Sequence, residues 1–538
     1  MTSILKRCVL TISIAVLLSS CAASPVSDVD ATPGGKISFL HLNDTYWVGA
    51  VEDGNRGGFG RVTTIIHTLQ TQGNTVRLLH GGDFLYPSLE SQLWDGEQMV
   101  EGMNFMHELA PMFVVPGNHE FDRRTPEAVI NAIRQSKFEW LADNMHLATG
   151  VDEIDRRLRS QFITEIDGRK IGIFALTVLP QHGGNVRDYL SFEPDYVAEA
   201  ERVIKGFEAA DVDLIIGLTH LLLADDIEVA KLKAKHPKFL FVVGGHDHEP
   251  EHEPGTATSA EVMKGASNAR SIWQIDVTFD SNDVPSIETM MIALDTTVEV
   301  DAEYQVIADK WRARMLAKMP FLTSRIGEAA VPLDGREVAI RSAESNWGNF
   351  IADQMRDAFG EPRSDLAFIN GGTLRIDDYI AGDITFEDIG RTFGFSSFLG
   401  HLQMTGGEFQ TTLEAGYRGT GLGKGYFPQI SGFRVCIDRG RPNGERIVQM
   451  QVPTADGWAD IETDREYSVV APDYLLRGGD GYQFPQHRER SRPASELKYL
   501  VLDAVIRAQA AGAKVGAPVD PENPRIKFAS PDSELCFQ

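Results

Sequence analysis

The sequence predicts an α/β protein of two domains, and three observations lead there. At 538 residues the chain exceeds what one hydrophobic core usually organises. Through its first 250 residues, short apolar runs alternate with amphipathic helical patterns, as in a layered sheet flanked by helices. Around Val298 the pattern changes: a long charged helical stretch precedes a second strand-and-helix region with its own glycine-rich turns.

Five apolar runs define the first domain. Residues 37–40 lead to His41-Leu42-Asn43-Asp44, and 76–79 to His80-Gly81-Gly82-Asp83. Residues 112–115 lead to Gly117-Asn118-His119, 214–218 to Thr219-His220, and 239–243 to Gly244-Gly245-His246-Asp247-His248. Each reads as a short strand whose far end delivers a potential metal ligand. Helical patterns lie between them, at 196–210 and 225–235, while the strand-like pieces 171–176 and 272–277 lack ligands and are read as completing the sheets. Residues 302–319 read as one helix ended near Pro320, suited to connecting domains. The second region has turns at 370–375, 405–407 and 478–481, then an amphipathic helix over 495–511 and a Pro-rich tail.

Apolar content of 42% and charged content of 24% are ordinary for a globular protein. The net charge of −26 argues against polymeric nucleic acid and leaves small ligands open. Handling anions on so acidic a chain requires local cations, either arginines or metal ions.

Residues 1–21 read as a targeting segment. Lys6 and Arg7 precede an apolar stretch, 9–18, too short to span a bilayer. It ends in Leu18-Ser19-Ser20-Cys21, which resembles a bacterial lipobox, so Cys21 is expected to be lipidated, with 22–35 as a tether. Ordinary signal-peptide cleavage near Ala22-Ala23 is the alternative. A lipidated form faces the periplasm or the exterior, anchored in the outer membrane if the cell is Gram-negative. Cys436 and Cys536 then remain, a pair that permits one disulfide or two buried thiols.

A lone His or Asp at a strand end is usually structural. Five strand ends carrying Asp, Asp, Asn-His, His and His-x-His supply donors for two divalent ions sharing one carboxylate. Ions about 3.5–4 Å apart would clamp a phosphate and activate water.

The motifs HLND, GGDF, GNHEFD, LTH and GGHDH, in that order, resemble those of the calcineurin-like metallophosphoesterases, specifically the 5′-nucleotidase / UDP-sugar hydrolase family. ESNWGNFIADQM, DLAFINGGTLRI, ISG and APDYLLRGGDGYQF resemble the same family's nucleotide-binding domain, so the likeness runs from about Lys36 to Phe484. It implies a four-layer metallophosphoesterase sandwich over 36–297, a linker helix over 298–322 and an α/β substrate-binding domain over 323–538. It implies that Asp44 and His248 hold one divalent ion (zinc, manganese or similar, with iron possible), that Asn118, His220 and His246 hold the other, and that Asp83 bridges them. His119 would face the substrate phosphate and Asp122 would fix its ring, with a metal-bound hydroxide as nucleophile. Arg341, Asn370 and Arg375 match contacts to nucleotide phosphates, Phe395 and Tyr474 a pair that sandwiches the base, and Asp480 a contact to the ribose. In the family the two domains rotate to close over substrate, and the 302–319 helix is a candidate hinge support.

Two departures stand out. The family's first motif is usually Asp-x-His, and here it is Asp44-Thr45-Tyr46. Tyr46 either packs and leaves that ion weakly held, or coordinates as phenolate, or is replaced in the role by Tyr86, whose GDFLY setting has the Asp-x-x-Tyr spacing of iron-binding purple acid phosphatases. A loop tyrosine is commonly structural, which favours packing. The family's Pro before the stacking Phe is replaced by Gly394, implying a looser loop. His80 reads as a possible support for the site, and His67, His107, His146 and His236 as surface or packing residues.

The expected function is hydrolysis of nucleoside 5′-monophosphates. Cleavage of nucleotide diphosphate sugars or cyclic nucleotides by the same site is a second reading, and a catalytically weak nucleotide-binding lipoprotein a third.

Overall fold

The computed structural model describes residues 36–123, 125–180, 186–419, 423–485, 496–529 and 536–537. The targeting segment, the tether and Cys21 lie outside the described residues.

Two sheets face each other in the N-terminal half. One has the spatial order Pro285–Ala293, Ser271–Phe279, Ile37–Leu42, Thr75–His80, Met112–Val114, Glu139–Leu141, Leu158–Arg159. The other runs Glu251–Glu253, Glu261–Lys264, Phe239–Gly244, Leu214–His220, Arg169–Thr177, Phe162–Ile166. Phe39, Leu79 and Phe113 of the first sheet pack with Ile173, Ile216 and Val243 of the second into a dry core. Strands buried on both faces explain the near-continuous apolar runs, since neither face alternates toward water. Helices Phe59–Thr71, Glu97–Leu109, Glu127–Gln135 and Ala302–Lys318 cover the outer face of the first sheet. Tyr196–Ala209 and Leu223–Ala230 cover that of the second. The result is the expected four-layer sandwich.

The strands that carry the five motifs are parallel to their neighbours: Ile37–Leu42 beside Thr75–His80, Thr75–His80 beside Met112–Val114, and Leu214–His220 beside Phe239–Gly244. Parallel pairing brings all five carboxyl ends to one edge, where sites collect in such sheets. The ligand-free strand Arg169–Thr177 pairs with Leu214–His220 and extends the second sheet, and Ser271–Phe279 lies antiparallel to Ile37–Leu42. The expected helix at 225–235 is split into Leu223–Ala230 and a 3₁₀ turn, Lys231–Ala234.

The helix Ala302–Lys318 is capped by Asp301, whose carboxylate accepts from the Tyr304 amide at 2.8 Å. Its apolar side, Tyr304, Ala308 and Trp311, is buried in the first domain's core. The C-terminal half has a four-stranded sheet, Leu399–Thr405, Glu466–Pro472, Leu366–Asn370, Pro428–Ser431. Helices Asn346–Asp357 and Leu497–Ala510 pack Ile351, Met355, Val501 and Val505 against Ala367, Ile369 and Val470 of that sheet. A second sheet, Gly457–Asp460, Ile447–Thr454, Arg434–Ile437, Ile526–Phe528, completes the half. Cys436 and Cys536 form a disulfide, with Cα atoms 5.8 Å apart.

Candidate metal and nucleotide site

The loops after the five strands are held by backbone bonds that cross between them. The Asp44 amide donates to Gly82 O at 2.9 Å and the Gly245 amide to Thr219 O at 2.9 Å. Glycine recurs because these backbones nearly touch: a Cβ at Gly245 would lie 2.2 Å from Gly81 O, and Gly82 adopts φ 84°. Asp44 and Asp83 sit in the left-handed region, φ 50° and 58°, which turns their carboxylates inward.

Asp44, Asp83 and His220 present their oxygen and nitrogen donors within 4.8 Å of one another, all buried. Asp83 Oδ2 lies 3.3 Å from His220 Nε2. Asn118 Oδ1 lies 3.2 Å from His220 Nε2 and 3.1 Å from His246 Nδ1. On the other side His248 Nε2 lies 3.4 Å from Asp44 Oδ1. These donors fit a cation. His220 Nδ1 lies 2.6 Å from the Gly81 carbonyl, so the proton belongs there and Nε2 is a bare acceptor facing two oxygen acceptors. Without metal a proton takes that place. Burial pushes the His220 imidazole down, but the Asp83 carboxylate outweighs it and carries the ring up to about 9. Burial and its neighbour His220 push His246 down to about 3, keeping the ring neutral.

His119 stands beside this cluster. Its amide donates to Asp83 Oδ1 at 2.7 Å, and its Nδ1 lies 2.8 Å from Asp122 Oδ2, the contact expected for Asp122. Burial lowers the imidazole, but Asp122 and Asp83 outweigh that and leave it raised above its ordinary value.

The second domain closes over these groups. Arg375 Nη2 reaches His119 Nε2 at 3.2 Å, and its guanidinium lies 5.1 Å from the Phe395 ring centroid. Phe395 in turn lies 5.6 Å from the His119 ring. Tyr474 donates to Asp480 Oδ1 at 3.0 Å, and Asn370 Nδ2 to Asp480 Oδ2 at 2.8 Å. Arg341 is buried, with its Nε lacking a hydrogen-bond partner. All six of these residues line one cavity of about 540 Å³, together with Asp83, Asn118, His119, His246 and His248. Asp44, Asp122 and His220 sit behind that wall. The Phe395 loop is tied down despite Gly394, because Gln92 Nε2 donates to Gly394 O at 2.7 Å.

Tyr46 packs as expected, in an apolar cluster with Trp47, Val51, Leu89, Met315 and Leu322. It is buried, and its hydroxyl lies 3.3 Å from Asp44 Oδ1 and 3.1 Å from His248 Nε2, among the ligand atoms themselves. Burial and the Asp44 charge push the phenol well above its ordinary pKa. Tyr86 is directed elsewhere, its hydroxyl 2.6 Å from Asp95 Oδ1 and 2.8 Å from Arg123 Nε, which removes the iron-tyrosinate reading. His80 supports the site as expected: it is buried, with Nε2 2.9 Å from Thr45 Oγ1 and Nδ1 accepting from the Gly82 amide.

Three buried charged residues around the site escaped sequence reasoning. Glu120 accepts from the amides of Asp83, Phe84, Leu85 and Gly117, at 2.9, 2.7, 3.1 and 2.5 Å. Lys264, wholly buried, meets Asp226, Asp247 and the carbonyls of Leu221 and Gly245. Glu337, from the second domain, lies 2.8 Å from His248 Nδ1. Glu120 could have been suspected from its place inside GNHEFD. A lone lysine closing the apolar strand Glu261–Lys264 and an acid four residues before Arg341 are faint signals.

Two family models match the chain, Calcineurin-like phosphoesterase over residues 37–250 and the 5′-nucleotidase C-terminal domain over residues 325–487. The chain belongs to the 5′-nucleotidase family of calcineurin-like phosphoesterases. Members of that superfamily use two divalent metals, and the buried Asp-Asp-His cluster is in keeping with this. Among relatives, the chain is 26% identical to a 5′-nucleotidase of Bos taurus, with 83% of this chain and 84% of that protein covered. It is 25% identical to the trifunctional nucleotide phosphoesterase protein YfkN of Bacillus subtilis, over 90% of this chain but only 34% of that longer protein. A 5′-nucleotidase precursor from Thermus thermophilus superposes with a TM-score of 0.75 at 22% identity, covering 92% of this chain and 99% of that one. The sulfate thiohydrolase SoxB, also from Thermus, superposes with a TM-score of 0.70 at 15% identity, covering 95% and 100%. The fold alone therefore does not select the substrate.

Proposed function

We propose that the protein releases phosphate from nucleoside 5′-monophosphates in a metal-dependent hydrolysis. The observation that carries this reading is that a metal-ligating cluster, a carboxylate-backed histidine and two buried arginines meet two aromatic rings on one cavity.

In this reading Asp44 and His248 hold one ion, Asn118, His220 and His246 the other, and Asp83 both. When bound, the ions supply Lewis acidity and a water activated near neutral pH. The arginines Arg375 and Arg341 offer planar forks to phosphate oxygens, and each keeps a buried N–H without a partner for that purpose. His119, steadied through Nδ1 by Asp122, delivers a proton to the leaving oxygen from Nε2. Phe395 and Tyr474 take the base between their faces, and Asp480, held by Asn370 and Tyr474, takes the ribose hydroxyls. We divide the chain functionally into a catalytic unit (36–297), a linker helix (298–322) and a substrate-binding unit (323–538).

The deciding assay is phosphate release from AMP, UDP-glucose and a cyclic nucleotide by the chelated protein with metals titrated back. AMP is expected to be turned over best, and only with metal. Preference for UDP-glucose or the cyclic nucleotide would move the reading to those esters. Turnover surviving exhaustive chelation, or an undiminished rate in His119→Ala, would overturn the mechanism. Nucleotide binding without any turnover would leave a binding lipoprotein, a role in which the His119–Asp122 pair has no use. We further propose anchoring through lipid on Cys21. Release of Cys21→Ala from the membrane fraction supports it, and a wholly soluble parent protein refutes it.

A further inference from the structure

Glu337 opens the short helix Glu337–Ile340, is 2% exposed, and commits both of its oxygens. Oε2 lies 2.8 Å from His248 Nδ1 and accepts from Ser267 Oγ at 2.8 Å. Oε1 accepts from Arg341 Nη2 at 2.7 Å. His248 and Ser267 belong to the N-terminal half, and Glu337 and Arg341 to the C-terminal half.

This arrangement settles the state of His248. Its Nδ1 proton is committed to Glu337, so the lone pair sits on Nε2, the atom 3.4 Å from Asp44 Oδ1. A carboxylate behind an imidazole fixes its tautomer and orientation and makes it a more basic ligand. Arg341 Nη2 donates to one Glu337 oxygen and Ser267 Oγ to the other, the donor set that suits a carboxylate. His220 is backed by the Gly81 carbonyl of its own half.

We propose that Glu337 is a positioning residue through which the second domain completes the metal site at Asp44 and His248, so that the affinity of one of the two ions depends on that domain being docked. Tyr46 adds reason for the dependence. Tyrosine stands where the first motif usually carries a second imidazole, so that site draws more heavily on His248 to hold its ion. Linkage is reciprocal, so an ion bound there favours the docked arrangement in turn. The proposal rests on the metal-dependent reading above.

The test is isothermal titration of the metal-stripped, full-length chain with Mn²⁺ in the parent, Glu337→Gln and Arg312→Ala. Glutamine keeps the shape and loses the charge. Arg312 pairs with Glu387 across the same interface, away from the site, and serves as the control for general loosening. Two ions are expected in the parent. Glu337→Gln is expected to weaken one of them about 10- to 100-fold and spare the other. Arg312→Ala, which removes only a partly exposed ion pair of that interface, is expected to weaken the same ion less than Glu337→Gln does and to spare the other. Equal affinities in the parent and Glu337→Gln, or equal weakening of both ions in Glu337→Gln, would overturn the proposal. If circular dichroism shows Glu337→Gln unfolded, Ser267→Ala, which strips one bond from the same oxygen, takes its place: weakening of one ion supports the proposal and no change overturns it. A parent that binds no Mn²⁺ would instead defeat the metal-dependent reading itself.

Discussion

Replacing Glu120 by glutamine tests whether the metal cradle is built before metal arrives. The side chain is 1% exposed and gathers four amides, Phe84 and Leu85 on Oε1 and Asp83 and Gly117 on Oε2. Burial and the Asp83 charge push its carboxyl up to about 7, and the amides oppose that shift, since a carboxyl proton would face another donor. Glutamine keeps one acceptor oxygen and turns an NH₂ group toward the remaining two N–H groups. Each buried amide left without an acceptor costs about 1–3 kcal/mol, so Glu120→Gln should lose about 2–6 kcal/mol of stability. Asp83 also holds its left-handed φ of 58° in this loop, so both ions should bind more weakly once the loop relaxes. Urea unfolding followed by tryptophan fluorescence, with and without Mn²⁺, reads both effects. A loss below about 1 kcal/mol in the metal-free protein would mean that the amides find other partners, and the reasoning fails.

Two further outcomes follow from the geometry. Asp122 keeps the His119 imidazole protonated to higher pH, so activity that needs this proton is present below the raised pKa and fades as pH climbs through it. Asp122→Asn should therefore move the alkaline limb of the kcat/KM profile toward lower pH, and an unmoved limb would remove His119 as the acid. Opening the Cys436–Cys536 bridge, which closes 100 residues, should cost about 4–5 kcal/mol by loop-closure entropy. Comparing urea midpoints of the parent and the double serine variant measures this, and a cost near zero would show that the reduced chain is already confined there.

What this sequence determined by itself was everything encoded close to a strand end. Asp44, Asp83 and Asn118 each lie within a few residues of a strand terminus, and His220 ends one. Strand direction then carries all of them to the same edge, so the candidate ligand cluster was legible before any contact was known. Tertiary structure alone decided what those ligands lean on. His248 and Glu337 are 89 residues apart, Asp83 and Glu120 are 37 apart, and Lys264 reaches back 43 residues to Leu221. No periodicity relates such pairs, because each is created when separate loops and domains dock. The same holds for the two tyrosines: spacing offered both Tyr46 and Tyr86, and only packing sent one hydroxyl to Asp44 and the other to Asp95. Local pattern places a backbone, whereas the direction and partner of a buried polar group are chosen by the surfaces that exclude water around it.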